Sequence, residues 1–213
     1  MRDFRSHITE LDRRMRSRFA EPDYEARRIE LEAKRSEAAR LEEAQARERQ
    51  REQSGIPRDF WPHLDRPRST PALAFVREWL AGSEPFGFVA GDVGLGKSTA
   101  LCWAIDQGYG RWAEAISLVR VDLYGDAWDQ LVGVHTLAID DLGAEPLDQG
   151  GWGEAKFCGL LNARMNGGRR TLLATNLGAA EFWARYPDPR LRDRIRSRCA
   201  VAALAGPSMR RCL

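Results

Sequence analysis

The chain has 213 residues, of which 43% are hydrophobic and 30% charged, and a formal net charge of +2. That is enough apolar material for one buried core with an appendage, which excludes a wholly disordered chain. It contains no apolar run of the roughly 18 residues that a bilayer span needs, and no apolar signal-peptide core near Met1, so a soluble, cytoplasmic protein with no membrane partner is expected.

Residues 1–54 hold no tryptophan and are dense in charge. The stretch "PDYEARRIELEAKRSEAARLEEAQARERQREQ" carries glutamate, arginine and alanine without a glycine, which predicts a long helix. Pro22 suits its first turn, Glu30/Lys34 and Glu43/Arg47 are favourably oriented i,i+4 pairs, and Gly55 with Pro57 ends it. Tyr24, Leu31 and Ala38 recur at seven residues, as in a coiled-coil seam, although the intervening positions are mostly charged. A solvated spacer and a helix docking through Leu31, Ala38 and Leu41 are the other readings of this arm.

In "GIPRDFWPHLDRPRSTP" four prolines, at 57, 62, 67 and 71, are expected to prevent regular structure, while Phe60, Trp61 and Leu64 anchor the segment to the domain after it. "ALAFVREWL" reads as a short amphipathic helix. From Pro85 onward, short apolar runs alternate with helical patterns, the mark of a parallel sheet flanked by helices. Strands are expected at "FGFVA", "AISLVRV", "TLAID", "TLLAT" and "AVAAL". The cysteines, Cys102, Cys158, Cys199 and Cys212, form no C-x-x-C pair, so neither a zinc cage nor a disulfide framework is implied.

"GDVGLGKST" matches G-x-x-x-x-G-K-[ST] at Gly91, Gly96, Lys97 and Ser98, directly after one expected strand and before the helix "TALCWAI". Glycines let such a loop curl its N–H groups around phosphate oxygens, and the following helix adds its positive end. The chain has three lysines, Lys34, Lys97 and Lys156, among 33 basic residues. A compact ammonium enters a small phosphate nest that a planar guanidinium does not fit, which accounts for lysine at 97 in an arginine-rich chain. The expected nucleotide contacts are Gly91, Asp92, Val93, Gly94, Leu95, Gly96, Lys97, Ser98 and Thr99, with ATP and Mg²⁺ as ligands. "HTLAIDD" then ends in Asp140, expected to share the Mg²⁺ with Ser98, and Asp141, expected to polarise a water. In isolation a helix cap or a solvated turn is the better explanation of two acids at a strand end; beside a complete P-loop it is not.

Taken together, "GDVGLGKST", "IDDLGAE" and "EAKFCGLLNARMNGGRRTLLATNL" resemble the AAA+ ATPases of the bacterial helicase loader group (DnaC/DnaI type), which also includes IstB-like transposition helper ATPases. The resemblance covers about residues 55–213 and rests most on Phe157, Leu160, Leu161, Arg164, Arg169, Arg170, Thr175 and Asn176. It implies an α/β P-loop NTPase with a parallel five-stranded sheet, a reduced lid and the arm as an addition: 1–54 arm, 55–82 linker and short helix, 83–213 ATPase domain. It also implies that Asn176 is the sensor 1 residue and that Arg194, with Arg190 as the other candidate, is an arginine finger reaching a neighbouring subunit. Arg210 falls at sensor 2, where Met209 replaces the usual aromatic. Asp141 stands where many AAA+ proteins have glutamate, one methylene longer.

Residues 185–213 hold eight arginines against two aspartates, which suits a polyanion. Arg164, Arg169 and Arg170 are candidate single-stranded DNA contacts, with solvated or paired arginines as the ordinary alternative. The resemblance implies a slow ATPase, stimulated by DNA and assembly, that loads a replicative hexameric helicase held by the arm and self-assembles with ATP. The alternatives are a transposition helper acting on double-stranded DNA and a helicase-binding adaptor without turnover.

Overall fold

The computed structural model describes residues 2–19, 22–108, 110–123, 125–146 and 152–209. The chain divides into two compact units, Met1–Arg49 and Gln50–Leu213. The first holds α1 (Arg2–Phe19) and most of α2 (Pro22–Gln53). Along α2 the Lys34 ammonium donates to Glu30 at 2.6 Å, as its i,i+4 spacing predicts. The apolar residues of α2 do not gather on one side. Ile29 and Leu31, two positions apart, lie on opposite sides of the helix, and both are exposed. The clearer amphipathic face belongs to α1, where Ile8, Leu11 and Met15 follow at three and four residues and are all exposed.

The second unit begins with the last turn of α2. Here the proline-rich segment is more regular than its composition predicts: a 3-10 turn at Arg58–Phe60 and a helical turn, α3 (Trp61–Leu64), precede α4 (Pro71–Ala81). Each of Pro57, Pro62 and Pro71 sits at a cap or in a first turn, where the missing N–H costs nothing. Thr70 caps α4, its hydroxyl accepting from the Leu73 N–H at 3.0 Å.

Then come β1 (Phe86–Gly91), α5 (Lys97–Asp106), β2 (Gly110–Glu114), α6 (Ala115–Leu118), α7 (Asp126–Gly133), β3 (Thr136–Leu142), α8 (Trp152–Asn166), β4 (Arg170–Thr175), α9 (Ala179–Arg185), α10 (Pro189–Arg198) and β5 (Cys199–Leu204). The five strands form one sheet in the order β2-β3-β4-β1-β5, parallel throughout. The second strand differs from expectation. "AISLVRV" is not a strand: Ala115 and Leu118 are buried three residues apart while Ile116 is exposed, a helical periodicity, and "GRWAE" just upstream pairs with β3.

Alternate strand residues feed opposite layers. Phe88, Ile139 and Leu173 pack against Phe157, Leu161, Phe182 and Leu191 of α8–α10. Val89, Ala138 and Leu172 pack on the other face with Leu73, Val76 and Trp79 of α4 and Leu101 and Ile105 of α5. Loops beyond the C-terminal ends of β1, β3 and β4 therefore meet at one rim of the sheet, the usual place for a ligand in an open parallel sheet.

Candidate nucleotide site

The P-loop turns on glycines with left-handed backbones. Gly94 has φ 88°, and a Cβ there would lie 2.1 Å from the Ser208 hydroxyl. Gly96, at φ 78°, caps α5. These are conformations an L side chain resists. The P-loop packs between the α4 cap and the C-terminal segment: Met209 donates its N–H to the Gly94 carbonyl at 2.9 Å, and a Cβ on Gly96 would lie 3.1 Å from the Met209 methyl and 3.4 Å from the Thr70 methyl.

Lys97 opens α5 and is buried. Its ammonium donates to the Gly91 carbonyl at 2.6 Å, the Asp92 carbonyl at 2.8 Å and the Asn176 side-chain oxygen at 2.7 Å. Asn176 in turn donates its amide to Asp141 at 3.0 Å. A continuous polar chain, Lys97–Asn176–Asp141, thus spans the rim from the P-loop to the end of β3.

The end of β3 is irregular. Pairing with β4 shifts register between Ile139 and Leu142, and Asp141 has φ 51°, a backbone that costs a non-glycine residue about 1 kcal/mol or more. The shift separates the two acids. Asp140 turns inward, 2% exposed, where burial pushes its carboxyl up to about 6 against hydrogen bonds from the Ser98 hydroxyl and from the Asp141 N–H (2.9 Å) and the nearby Lys97 charge. Asp141 turns toward Asn176. Thr175 fixes the end of β4 by donating to the Leu142 carbonyl at 2.6 Å and accepting from the Leu177 N–H at 3.1 Å, so Asn176 leaves the sheet at a set angle.

Behind the turn after β3, the buried Glu145 carboxylate accepts from the Gly143 N–H at 2.9 Å, the Tyr186 hydroxyl and, at 3.4 Å, Arg185. Burial and this carboxylate hold the Tyr186 hydroxyl far above its ordinary range. Nothing in the local sequence around Glu145 announces a role. It supports the turn that presents the two aspartates.

Loop and rim enclose a cavity of about 430 Å³. One wall is formed by Val93, Gly94, Gly96, Lys97, Ser98 and Thr99, and Asp141 with Asn176 close one end. Gly91 and Asp92 lend carbonyls to Lys97 instead, and Leu95 is buried as an anchor of the loop. The opposite wall was not anticipated: Phe60, His63, Pro67, Arg68 and Thr70 line it, with Met209 between the two. Its one signal in the sequence is position, a segment with aromatic anchors directly preceding the first core helix.

Several expected site residues fall elsewhere. Arg164 is not a DNA contact, because it is fully buried. It donates to the Thr171 hydroxyl (2.9 Å) and to the carbonyls of Leu131 (2.6 Å), Val134 (2.9 Å) and Arg170 (2.5 Å), tying α8 to the end of α7 and the start of β4. Burial and the neighbouring Arg169 lower its guanidinium to about 10. Arg170 likewise turns inward, its guanidinium 4.1 Å from the Trp79 ring centroid and bonded to the Leu80 and Trp79 carbonyls. Arg169 remains half-buried at the same turn. Arg194 lies on α10, half-buried and away from the cavity lining, while Arg190 is held by Asp188 at 3.2 Å. Arg210 lies outside the described residues.

The residues present fit a nucleoside triphosphate and its metal. Glycines whose added Cβ atoms would collide with the loop's surroundings, a lysine at the start of the following helix, and a buried carboxylate bonded to a serine hydroxyl form the donor set of a phosphate–Mg²⁺ site.

No protein-family model and no curated protein matches the chain. Solved structures do. The crystal structure of the DnaC helicase loader superposes with a TM-score of 0.57 at 17% identity, over 70% of this chain and 100% of that one. The chain shares the fold of the DnaC helicase loader. DnaI gives a TM-score of 0.55 at 20% identity over 73% of this chain and 94% of its own. The replication initiator DnaA bound to AMPPCP and single-stranded DNA gives 0.50 at 18% identity, over 66% and 48%. In this fold the loop Gly91–Ser98 lies between β1 and α5, and Asp140 and Asp141 lie at the end of β3. Among the described residues no helix is long and apolar enough to cross a membrane.

Proposed function

We propose that this chain is an ATP-dependent helicase loader. The observation that carries the reading is the polar chain Lys97–Asn176–Asp141 across one cavity, which links the P-loop, the end of β3 and the end of β4 in a fold shared with the DnaC loader. In this reading Lys97 and the loop N–H groups hold the β- and γ-phosphates, and Asp141, oriented by Asn176, accepts a proton from the attacking water. Mg²⁺ held by Ser98 and Asp140 would neutralise phosphate charge.

Arg194 acts in trans. It lies outside the lining of its own cavity, and in this reading it completes the site of a neighbouring subunit when ATP drives self-assembly. Turnover is then slow in the isolated chain and rises with assembly on DNA. Single-stranded DNA is the partner we assign, with Arg169 and the arginines of α10 supplying backbone charge. The arm contacts the replicative hexameric helicase. Its apolar contribution comes from Ile8, Leu11 and Met15 of α1 more than from α2.

The test is capture of the replicative helicase of the source cell by the full chain, with ATP and with ADP, alongside ATPase rates with single- and double-stranded DNA. ATP-dependent capture with stimulation by single strands supports a loader. Stimulation by duplex DNA without helicase capture would replace it with a transposition helper, and capture without turnover with an adaptor.

A further inference from the structure

A buried charge cluster outside the cavity joins α2, α5 and the residue after α3. Arg51, in the last turn of α2, is 5% exposed. Its Nε donates to Asp106 Oδ1 at 2.7 Å and its Nη2 to Asp106 Oδ2 at 3.0 Å, a bidentate pair, while Nη2 also reaches Asp65 Oδ1 at 2.6 Å. Neither acid lines the cavity itself; each belongs to an element that contributes other residues to it. Asp106 is the last residue of α5, the helix that Lys97 opens. Asp65 directly follows α3, whose His63 lines the far wall of the cavity together with Phe60.

The root that carries Arg51 is itself fixed. The Ser54 carbonyl accepts from the Trp112 N–H of β2 at 2.8 Å, and Gly55 turns the chain at φ 75° so closely that a Cβ would lie 2.9 Å from the Trp112 carbonyl. The Ile56 carbonyl then accepts from the Trp61 indole at 3.1 Å. By contrast, the far wall is two short turns between prolines with no strand pairing of its own. Its position depends on the buried Leu64, the half-buried Phe60 and Trp61, and the bond to Arg51.

We propose that Arg51 is a positioning residue for the base end of the nucleotide: by holding Asp106 and Asp65 at once it sets the gap between α5 and the far wall, without touching the ligand. The proposal rests on the reading of the cavity as a nucleotide site. The phosphate end, built on the P-loop and β3, does not depend on this clamp, so the two ends of the ligand respond differently when it is loosened.

Asp65→Asn in the full chain weakens the hold on the wall and leaves the Arg51–Asp106 pair in place; the Asp65 side chain is 54% exposed, which spares the core. Calorimetry with ATP and with inorganic tripolyphosphate separates the two ends. The expected result is ATP affinity lower by roughly threefold to tenfold, the size of one half-exposed charge-assisted hydrogen bond, with tripolyphosphate affinity unchanged. Arg51→Lys, which keeps the charge but loses the planar fork, should show the same split. Equal loss for both ligands in both variants, or no loss for ATP, overturns the proposal. A wild-type chain that binds neither ligand overturns the nucleotide reading, and this one with it.

Discussion

The Lys97 ammonium donates to the Asn176 side-chain oxygen at 2.7 Å, joining two residues 79 positions apart. The bond places the end of β4 and the P-loop in one electrostatic unit, so a change at either is felt at the other. Lys97→Ala removes three charge-assisted hydrogen bonds. It should lower ATP affinity by on the order of 100-fold or more, the equivalent of about 3 kcal/mol. Asn176→Ala keeps the ammonium and should leave binding within several-fold while lowering turnover. Titration with a fluorescent ATP analogue, followed by single-turnover hydrolysis, checks both; an unimpaired Lys97→Ala would remove the P-loop from the site.

The buried Asp140 gives the site a pH dependence with a definite sign. Its carboxyl, raised from 3.8 to about 6 chiefly by burial, binds its proton more tightly folded than unfolded. The folded state therefore loses stability as pH rises from about 4 through 6, by about 3 kcal/mol in all, since each pH unit between the two values is worth about 1.36 kcal/mol. Asp140→Asn removes that loss. Its melting temperature should exceed that of the wild type more at pH 7.5 than at pH 5, while its Mg²⁺-dependent ATP binding disappears. In the wild type, Mg²⁺–ATP should stabilise the fold more at pH 7.5 than at pH 5, since the metal needs the ionised carboxylate. Differential scanning calorimetry at the two pH values, with and without Mg²⁺–ATP, tests the sign.

The loop and the strand-end acids were legible because their pattern is local: a glycine loop between a strand and a helix, and acids ending an apolar strand. Four of the five strands were legible as apolar runs. β2 was not, since "GRWAE" has a single buried aromatic and its flanking "AISLVRV" has stronger β propensity; contact with β3 and packing of Leu118 decided the outcome. Arginines were the least legible residues. Arg164 and Arg169 sit in one helix-to-turn stretch, yet one is fully buried among carbonyls and the other half-buried. No local pattern announces which guanidinium will find five acceptors from α7, β4 and the turns beside them. The far wall of the cavity was hidden for a similar reason: His63 and Arg68 acquire a role only when α4 packs on α5.

That burial changes what an Arg164 variant should do. Arg164→Met strands several buried carbonyls, each worth about 1–3 kcal/mol when left unpaired, so a loss of at least roughly 3 kcal/mol is expected. Urea denaturation should show the lower midpoint. DNA affinity per folded molecule should be unchanged, whereas Arg169→Ala should reduce it and flatten its salt dependence.

The unit boundary at Arg49/Gln50 makes the choice of truncation consequential. A chain starting at Gln50 keeps Arg51 with Asp106, whose side chain is 7% exposed in the full chain, and the Ser54–Trp112 bond; one starting at Gly55 loses both. Breaking a buried pair in this way costs about 3–5 kcal/mol. Residues 50–213 should therefore melt close to the full chain, and residues 55–213 lower by on the order of 10 °C. Equal melting temperatures for the two truncations would mean that the last turn of α2 is dispensable to the second unit.

Arg194 separates binding from turnover. It is outside the cavity lining, so Arg194→Ala should leave ATP affinity of the isolated chain within about twofold. If it completes a neighbour's site, the variant loses the DNA-stimulated rate by about 10³-fold, the size typical of an arginine finger. Mixing supports the same logic. An Arg194→Ala chain has an intact cavity and a Lys97→Ala chain an intact finger, so an equimolar mixture should recover part of the stimulated rate that each lacks alone. A finger acting within its own chain would give no recovery, because neither protein then holds a complete site.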